Sequence, residues 1–359
     1  MKILVVGDWH SELHEEVVSG AFSALGHQVS GFKWHGYFQL VPGFGGRLWH
    51  PAQRAQNKYV SGPIITRINR DFLVEVRRLR PEMVFIYRGT HIRAETLRAI
   101  RATVPGCVLV GYNNDDPFAP TQPPYLWRHF LRAVPEYDLG LAYRHANIDE
   151  YRAAGARRVE LLRSWYVVER NHPIELSKDD CARFETDVVF VGHFEPDQRQ
   201  EYLEEVVHQG VRLRLFGPGY DWDPVIRKSP VLSTLLPVRL VWGEDYNRAL
   251  CGAKIALCFF SKLNRDTYTR RCFEIPATGT LLLSEYSDDL AGLYCEGLEA
   301  EFFRNRDEMM AKIHLYLGDD ARRRIVAEAG RRRAQEGRHD VISRMQDVLK
   351  SVEGIRAGK

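Results

Sequence analysis

The chain has 359 residues, of which 45% are hydrophobic and 27% charged, an ordinary globular composition with enough length for two domains. Its 50 basic and 47 acidic side chains leave a formal charge of +3, too small to indicate nucleic-acid binding. The six cysteines show no Cys-x-x-Cys spacing, so we expect reduced thiols and neither a zinc site nor a disulfide framework.

No apolar run approaches membrane-spanning length, and the N-terminal residues lead directly into a strand pattern. We therefore expect a cytoplasmic protein. Arginines cluster at residues 77–80, 322–324 and 331–333. We interpret these clusters as solvated helix faces, with peripheral contact to anionic lipid on the inner membrane face as the weaker alternative.

Short apolar runs alternate with helical patterns along the first half, which is typical of parallel α/β layers. The pattern predicts strands at 3–6, 28–32, 83–87, 107–112, 138–142 and 158–161. It predicts helices at 12–25, 64–79, 94–103 and 148–154. Residues 33–62, rich in aromatics, Gly and Pro, are predicted to be irregular, with aromatic side chains that contact an acceptor sugar or cover the helix at 64–79.

The second half repeats the alternation. It predicts strands at 187–191, 212–216, 238–242, 256–260 and 280–283, and a loop at 217–223. It predicts helices at 198–209, 246–251, 306–317, 320–336 and 340–352. We therefore predict two Rossmann-like domains at 1–168 and 185–338, a linker at 169–184, and a C-terminal helix at 339–359 that packs back on the first domain.

The segment 270–280 carries two arginines and a carboxylate on a short helix that ends at a glycine and leads into an apolar strand. Arg270 and Arg271 suit the phosphates of a ligand, and Glu274 suits sugar hydroxyls. Asp266 stands eight positions before Glu274. Pro276 predicts that the helix is short and kinked. The alternative is a solvated charged turn with no ligand.

The motif Arg271-Cys272-Phe273-Glu274-Ile275-Pro276-Ala277-Thr278-Gly279 resembles the Arg-x-Phe-Glu-x-x-Ala-x-Gly pattern of CgeB-like, or spore-maturation-protein-like, glycosyltransferases. Residues 299–309 and 322–327 are similar as well, so the resemblance covers 185–340 and, more loosely, the first half. It implies a GT-B fold, with two facing doubly wound parallel-sheet domains and an active site in the cleft between them.

The resemblance also implies an activity. Such an enzyme transfers a sugar from a nucleoside-diphosphate sugar, bound by the C-terminal domain, to a hydroxyl acceptor on the side of the N-terminal domain. The implied acceptor is a glycan or lipid-linked intermediate of surface polysaccharide. No cofactor and no metal ion are expected, and the oligomeric state stays open.

Related retaining enzymes carry a Glu-x7-Glu motif here, which implies that Glu274 binds the nucleotide ribose. Asp266 occupies the first position but is one methylene shorter, so its contact with the donor sugar and the stereochemical outcome stay open. The other predicted donor contacts are Gly192, His193, Gly217, Tyr220, Trp242 and Lys262. We assign the backbone N–H groups of Gly192 and His193 to the diphosphate. Trp242 is predicted either to contact the base or to be a core residue. We interpret Arg199 as an exposed surface charge.

Polar clusters also follow the strands of the first half, where doubly wound sheets bind ligands. They supply the candidates for a base that takes a proton from the acceptor hydroxyl: Asp115 or Asp116 first, then His91, then His10. Asp115 and Asp116 resemble metal-binding carboxylates, but the pair also suits a turn that caps its own backbone. Two other functions stay open, a nucleotide-sugar epimerase and a binding module without catalysis.

Overall fold

A computed structural model of the chain describes residues 1–40 and 44–358. It contains two compact α/β units. The first comprises Met1–Arg163 and the segment from Val341 onward, and the second is Ser164–Asp340. Residues 41–43, part of the stretch predicted to be irregular, lie outside the described residues.

The first unit is built on a six-stranded parallel sheet. Its strands are β1 Lys2–Gly7, β2 Gln28–Lys33, β3 Met83–Tyr87, β4 Val108–Asn113, β5 Leu139–Ala142 and β6 Val159–Leu161. They lie in the order β2-β1-β3-β4-β5-β6, with every neighbouring pair parallel. All residues of β3 and β4 are buried, because helices cover both faces of such a sheet.

Six helices of the first unit connect these strands. They are α1 Glu15–Ala24, α2 Phe44–Tyr59, α3 Pro63–Leu79, α4 Ala94–Thr103, α5 Pro124–Ala133 and α6 His145–Ala153, with 3-10 turns at His35–Phe38 and Val134–Glu136. The prediction of irregular structure at 33–62 is therefore wrong for α2. Its glycines and Pro51 conceal a helix that packs against α3 and α5, and such packing outweighs intrinsic propensity.

The second unit contains a five-stranded parallel sheet. Its strands are β7 Thr186–Val191, β8 Leu213–Phe216, β9 Ala253–Cys258, β10 Leu281–Glu285 and β11 Glu301–Phe303. Their order is β11-β10-β9-β7-β8, and all pairs are parallel. The strand predicted at 238–242 is not formed, since Arg239 makes only an isolated bridge to Phe216.

The helices of the second unit pack around this sheet. They are α7 Lys178–Phe184, α8 Arg199–His208, α9 Gly219–Ile226, α10 Gly243–Cys251, α11 Arg271–Ala277, α12 Asp288–Ala291, α13 Arg306–Gly318 and α14 Asp320–Glu336, with a 3-10 turn at Leu232–Leu235. The segment predicted as a linker thus lies within this unit and contains α7. The loop predicted at 217–223 is mostly the first part of α9.

The last helix, α15 Val341–Ala357, returns to the first unit and packs on α1. Ser351 Oγ donates to Glu160 Oε2 at 2.5 Å, and Arg356 Nη2 lies 2.7 Å from Glu82 Oε1. Among the described residues, no helix combines the length and apolarity that a membrane crossing requires. All six cysteines are described, and none forms a disulfide.

Candidate functional site

The loops after β7, β8, β9 and β10 meet at one edge of the second sheet, because all its strands are parallel. Residues 192–193 follow β7, residues 217–218 follow β8, and residues 259–270 join β9 to α11. Helices α10 and α11 also begin at this edge, since each leads back to the start of the next strand. This edge therefore gathers most of the side chains predicted to bind the donor.

Glu274 is a buried carboxylate at the centre of this group. It is 2% exposed and lies one helical turn after Arg270, whose Nε is 2.8 Å from Glu274 Oε1. Tyr246, from α10, donates its hydroxyl to Glu274 Oε2 at 2.6 Å. Burial and the neighbouring carboxylate raise the pKa of Tyr246, so its hydroxyl stays a donor. The carboxylate is thus held in one orientation from two sides.

Arg271 extends from the start of α11 to the loop after β7. A Cβ atom built on Gly192 would stand 2.9 Å from Arg271 Nη2 and 2.9 Å from the Phe190 ring. Arg271 is partly exposed, and its buried Nε has no hydrogen-bond partner among the described residues. A cation held in this way at the sheet edge is suited to a phosphate oxygen.

Gly192 and Gly217 pack on each other. Gly192 N–H donates to Phe216 O at 2.9 Å, and Gly217 N–H donates to Arg239 O at 3.0 Å. A Cβ at residue 217 would stand 2.2 Å from Gly192 O, which accepts a 2.8 Å hydrogen bond from Trp222 Nε1. Both amides are therefore engaged within the protein. The N–H of Gly192 is not available to a diphosphate, contrary to our prediction.

Two aromatic side chains at the same edge are exposed. Tyr220, in the first turn of α9, is 77% exposed, and Trp242, which precedes α10, is 53% exposed. The core tryptophan of this region is Trp222, so the alternative of a core Trp242 is excluded. Beside Tyr220, His193 Nδ1 lies 2.7 Å from Asp221 Oδ2. These exposed rings can stack on a planar base.

Lys262 is paired within the protein. Its Nζ lies 2.9 Å from Glu285 Oε1, and Glu285 Oε2 accepts the Phe260 N–H at 2.5 Å. A contact of Lys262 with a diphosphate therefore competes with Glu285. Glu285 was not among the predicted site residues. Its position could have indicated it, because it is the last residue of β10, and polar residues at the carboxyl ends of parallel strands often contact ligands.

Arg199 is 4% exposed, so its interpretation as a surface charge is wrong. Its guanidinium lies 2.7 Å from Asp197 Oδ2 and donates to His193 O at 2.8 Å and Phe260 O at 3.2 Å. Arg199 thus ties the loop after β7 to the loop after β9. We regard it as a positioning residue for His193.

Asp266 lies in the loop between β9 and α11, where its N–H donates to Ser261 O at 2.9 Å. The next residue, Thr267, donates through Oγ1 to Asp289 Oδ2 at 2.7 Å. The loop is therefore anchored next to Asp266, while the role of its carboxylate stays a prediction.

The candidate bases lie at the carboxyl edge of the first sheet, with different surroundings. Asp116 is fully buried, and its Oδ1 accepts from Phe118 N–H at 3.0 Å and Asn147 Nδ2 at 2.9 Å. The bond to Phe118 N–H is the capping of its own backbone that we gave as the alternative to a catalytic role. Asp115 is partly exposed, with its Oδ2 2.6 Å from Arg88 Nη2. Asp115 is therefore the more accessible carboxylate.

The two histidines also differ. His91 is buried, and its ring nitrogens lie 2.9 Å from Thr90 Oγ1 and 2.9 Å from Asn57 Oδ1. Burial lowers the pKa of His91 to about 3, which makes it a weak base at neutral pH. His10 is exposed and stacks on His35, with ring centroids 4.8 Å apart.

The sequence analysis missed one acid at this edge. Glu15, the first residue of α1, is 2% exposed and its Oε1 accepts the Asp8 N–H at 2.9 Å. Burial raises its pKa. Gly7 makes room for it, because a Cβ there would stand 2.0 Å from Glu15 Oε1. In the part of the chain that the structure describes, no group of three or more His, Cys, Asp or Glu side chains could hold a metal ion.

Comparisons with known proteins agree with this architecture. Residues 198–350 match the family model described as glycosyl transferase-like. This segment contains every predicted donor contact except Gly192 and His193. No curated protein matches the chain in sequence.

Several solved structures share the fold over the whole chain. Sucrose-phosphate synthase from Thermosynechococcus elongatus has a TM-score of 0.68 at 11% identity, with 99% of each chain covered. Anabaena HepE in complex with UDP has a TM-score of 0.65 at 12% identity, covering 99% of this chain and 100% of HepE. A candidate UDP-N-acetylglucosamine 2-epimerase from Listeria monocytogenes has a TM-score of 0.59 at 10% identity, covering 100% of this chain and 97% of that one. The chain therefore has the GT-B fold of two Rossmann-like units, and its residues 198–350 are similar to the glycosyl transferase-like family.

Proposed function

We propose that the protein is a glycosyltransferase that takes a sugar from a nucleoside-diphosphate donor and transfers it to a hydroxyl acceptor. The observation that carries the proposal is the arrangement of α11. This short helix presents Arg271 at the sheet edge and holds the Glu274 carboxylate between Arg270 and Tyr246. The match of residues 198–350 to the glycosyl transferase-like family supports it.

Each group has a distinct proposed role. Arg271 binds the diphosphate and stabilises the negative charge that develops as the glycosidic bond breaks. Glu274 accepts hydrogen bonds from the ribose hydroxyls, with its orientation set by Tyr246 and Arg270. Tyr220 and Trp242 contact the base. Because one similar structure contains UDP and another contains UDP-glucose, UDP-glucose is the first donor to test.

The carboxyl edge of the first sheet supplies the proposed base on the acceptor side. Asp115 is the preferred base, since Asp116 is fully buried and the pKa of His91 is about 3; His10 is the second choice. The resemblance to CgeB-like enzymes favours a glycan or lipid-linked acceptor of surface polysaccharide, used by a cytoplasmic enzyme in peripheral contact with the membrane. We also propose that no metal ion is required, because arginines suffice to bind a diphosphate.

A panel of UDP-, GDP- and TDP-sugars distinguishes this proposal from its alternatives. Nucleotide release with sugar transfer is the expected result. An isomerised donor without release would indicate the epimerase, whose candidate from Listeria shares the fold. Binding with neither reaction would indicate a binding module. Activity that survives a chelator is expected, and its reversible loss would overturn metal independence.

The site assignment has its own test. Glu274→Gln keeps the size of the side chain but removes its charge, so we expect nucleotide affinity to fall roughly tenfold by calorimetry. Glu201→Gln, on the exposed surface of α8, removes the same charge elsewhere and serves as the control. Equal affinities of the two variants would overturn the role of Glu274.

A further inference from the structure

A polar pocket lies in the first unit, between α4 and α5, and the donor chemistry does not use it. It has a volume of about 410 Å³. Three arginines and a histidine line it: Arg93 from the residue before α4, and Arg128, His129 and Arg132 from α5.

The pocket carries an excess of positive charge. Glu95 is the one carboxylate among its lining residues, and it is paired with Arg98 at 3.4 Å. Among the described side chains, no carboxylate lies within ion-pair distance of Arg93, Arg128 or Arg132. Several other arginines of the same unit are paired with carboxylates, as Arg152 is with Asp149 at 2.8 Å. Uncompensated like charges repel one another, and an anion between them would relieve that repulsion.

Arg93, Arg128 and His129 are held in place by hydrogen bonds within the protein. Arg128 Nη2 donates to Val60 O at 2.6 Å and Tyr59 O at 2.9 Å, while its buried Nε has no hydrogen-bond partner among the described residues. His129 Nε2 lies 3.0 Å from Val60 O, and Arg93 Nη2 donates to Thr66 Oγ1 at 3.1 Å. Ordering these side chains on binding therefore costs little entropy.

The start of α4 adds to this field. The helix has ten residues, and its cap residue Arg93 makes no side-chain hydrogen bond to the first turn. Ala94 and Glu95, the first two helical residues, line the pocket. The positive end of the helix dipole thus faces the same space as the guanidinium groups.

We propose that this pocket binds a phosphate group, with Arg93, Arg128 and Arg132 as its cationic ligands. Planar guanidinium groups match the geometry of phosphate oxygens and bind them through paired hydrogen bonds. The phosphate belongs either to a small phosphate monoester in solution or to an anionic lipid headgroup. This proposal is independent of the donor site in the second unit, so binding rather than transfer tests it.

His129 provides a reporter inside the pocket. Burial lowers its pKa, and the nearby Arg128, Arg93 and Arg132 lower it further, while a hydrogen bond to Val60 acts in the opposite direction. A phosphate between the arginines would oppose their effect. Its binding should therefore raise the pKa of His129.

The test follows the His129 imidazole signals by NMR during titration with potassium phosphate, against potassium chloride of equal ionic strength. The signals are assigned with His129→Gln. We expect a saturable shift with phosphate alone and a higher pKa of His129. Arg132→Gln removes an exposed side chain, so the fold should persist while phosphate affinity falls roughly tenfold. Arg152→Gln removes one positive charge from α6 and should leave affinity unchanged.

Two further probes identify the source of the phosphate. Glycerol 3-phosphate binding as tightly as, or more tightly than, inorganic phosphate, with no binding to phosphatidylcholine vesicles that contain phosphatidic acid, supports a soluble monoester. Vesicle binding that Arg132→Gln weakens and Arg152→Gln does not supports a lipid headgroup. The proposal is overturned if neither phosphate nor vesicles bind, or if both variants lose binding equally.

Discussion

The guanidinium of Arg271 lies against Gly192, close enough that a Cβ atom at residue 192 would stand 2.9 Å from Nη2. The two residues are 79 positions apart, on different loops of one sheet edge. Gly192 thus determines where the cation of α11 can lie. The glycine serves the position of a side chain and not the approach of a ligand to the backbone.

Gly192→Ala should displace Arg271 and weaken nucleotide binding roughly tenfold, since a charge-assisted hydrogen bond contributes about 1.5 to 3 kcal/mol. The new methyl group also meets the Phe190 ring, which should cost about 1 to 3 kcal/mol of stability. Calorimetry with UDP and urea unfolding measure the two effects. Gly318→Ala, where an added Cβ meets nothing, is the control. Unchanged affinity of Gly192→Ala would contradict the assigned role of Arg271.

Tyr246→Phe removes the hydroxyl that orients Glu274 and should lower UDP affinity several-fold, because a hydrogen bond to a charged group contributes about 1.5 to 3 kcal/mol. The chain offers a matched control in Tyr316, which makes a similar hydrogen bond to Glu301 at another place in the second unit. Tyr316→Phe should destabilise the fold comparably and leave UDP affinity unchanged. The same loss of affinity in both variants would show that the effect is not specific to the site.

Glu15 should make stability depend on pH. Burial raises its folded-state pKa above the ordinary value of 4.5, so its contribution to stability is complete below that value and is lost as pH rises through the folded pKa. Glu15→Gln stays neutral and should therefore gain stability relative to the natural protein between about pH 4 and about pH 7, on the order of 1 kcal/mol. Urea unfolding at the two pH values measures this gain. Glu16→Gln, exposed on the same helix, should show none.

His91 should not titrate between about pH 8 and about pH 5 in the folded protein. Burial lowers its pKa to about 3, so its contribution to stability is present above the unfolded value near 6.5 and is lost as pH falls toward 3. Its imidazole signals in NMR should stay constant in the native protein and titrate in urea. A native titration near neutral pH would restore His91 as a candidate base.

The strands and the central motif could be predicted from the sequence because their signals are local. Ile3–Val6 and Leu281–Leu283 lie in short apolar runs beside turn residues, and these runs predict buried parallel strands. In the same way, the spacing of Arg270 and Glu274 places both on one face of a helix, where the structure finds them 2.8 Å apart.

The remaining features depend on partners distant in sequence. Tyr246 meets Glu274 across 28 positions, and Arg199 is buried only because Asp197 and the carbonyl oxygens of two loops surround it. Helix α9 begins at the second glycine of a Gly-Pro-Gly sequence that predicts a turn, and Trp222 anchors it in the core of the second unit. Such tertiary contacts decide burial and cannot be read from local pattern.

The return of α15 to the first unit makes that unit discontinuous in the chain, so the second unit is an insertion between Arg163 and Val341. Ending the chain after residue 340 would therefore uncover the apolar face of α1 and remove one partner each of Glu82 and Glu160, namely Arg356 and Ser351. A continuous first unit would require a new peptide link from residue 163 to residue 341. The second unit, by contrast, is a single unbroken segment and is the natural choice for separate production and nucleotide-binding measurements.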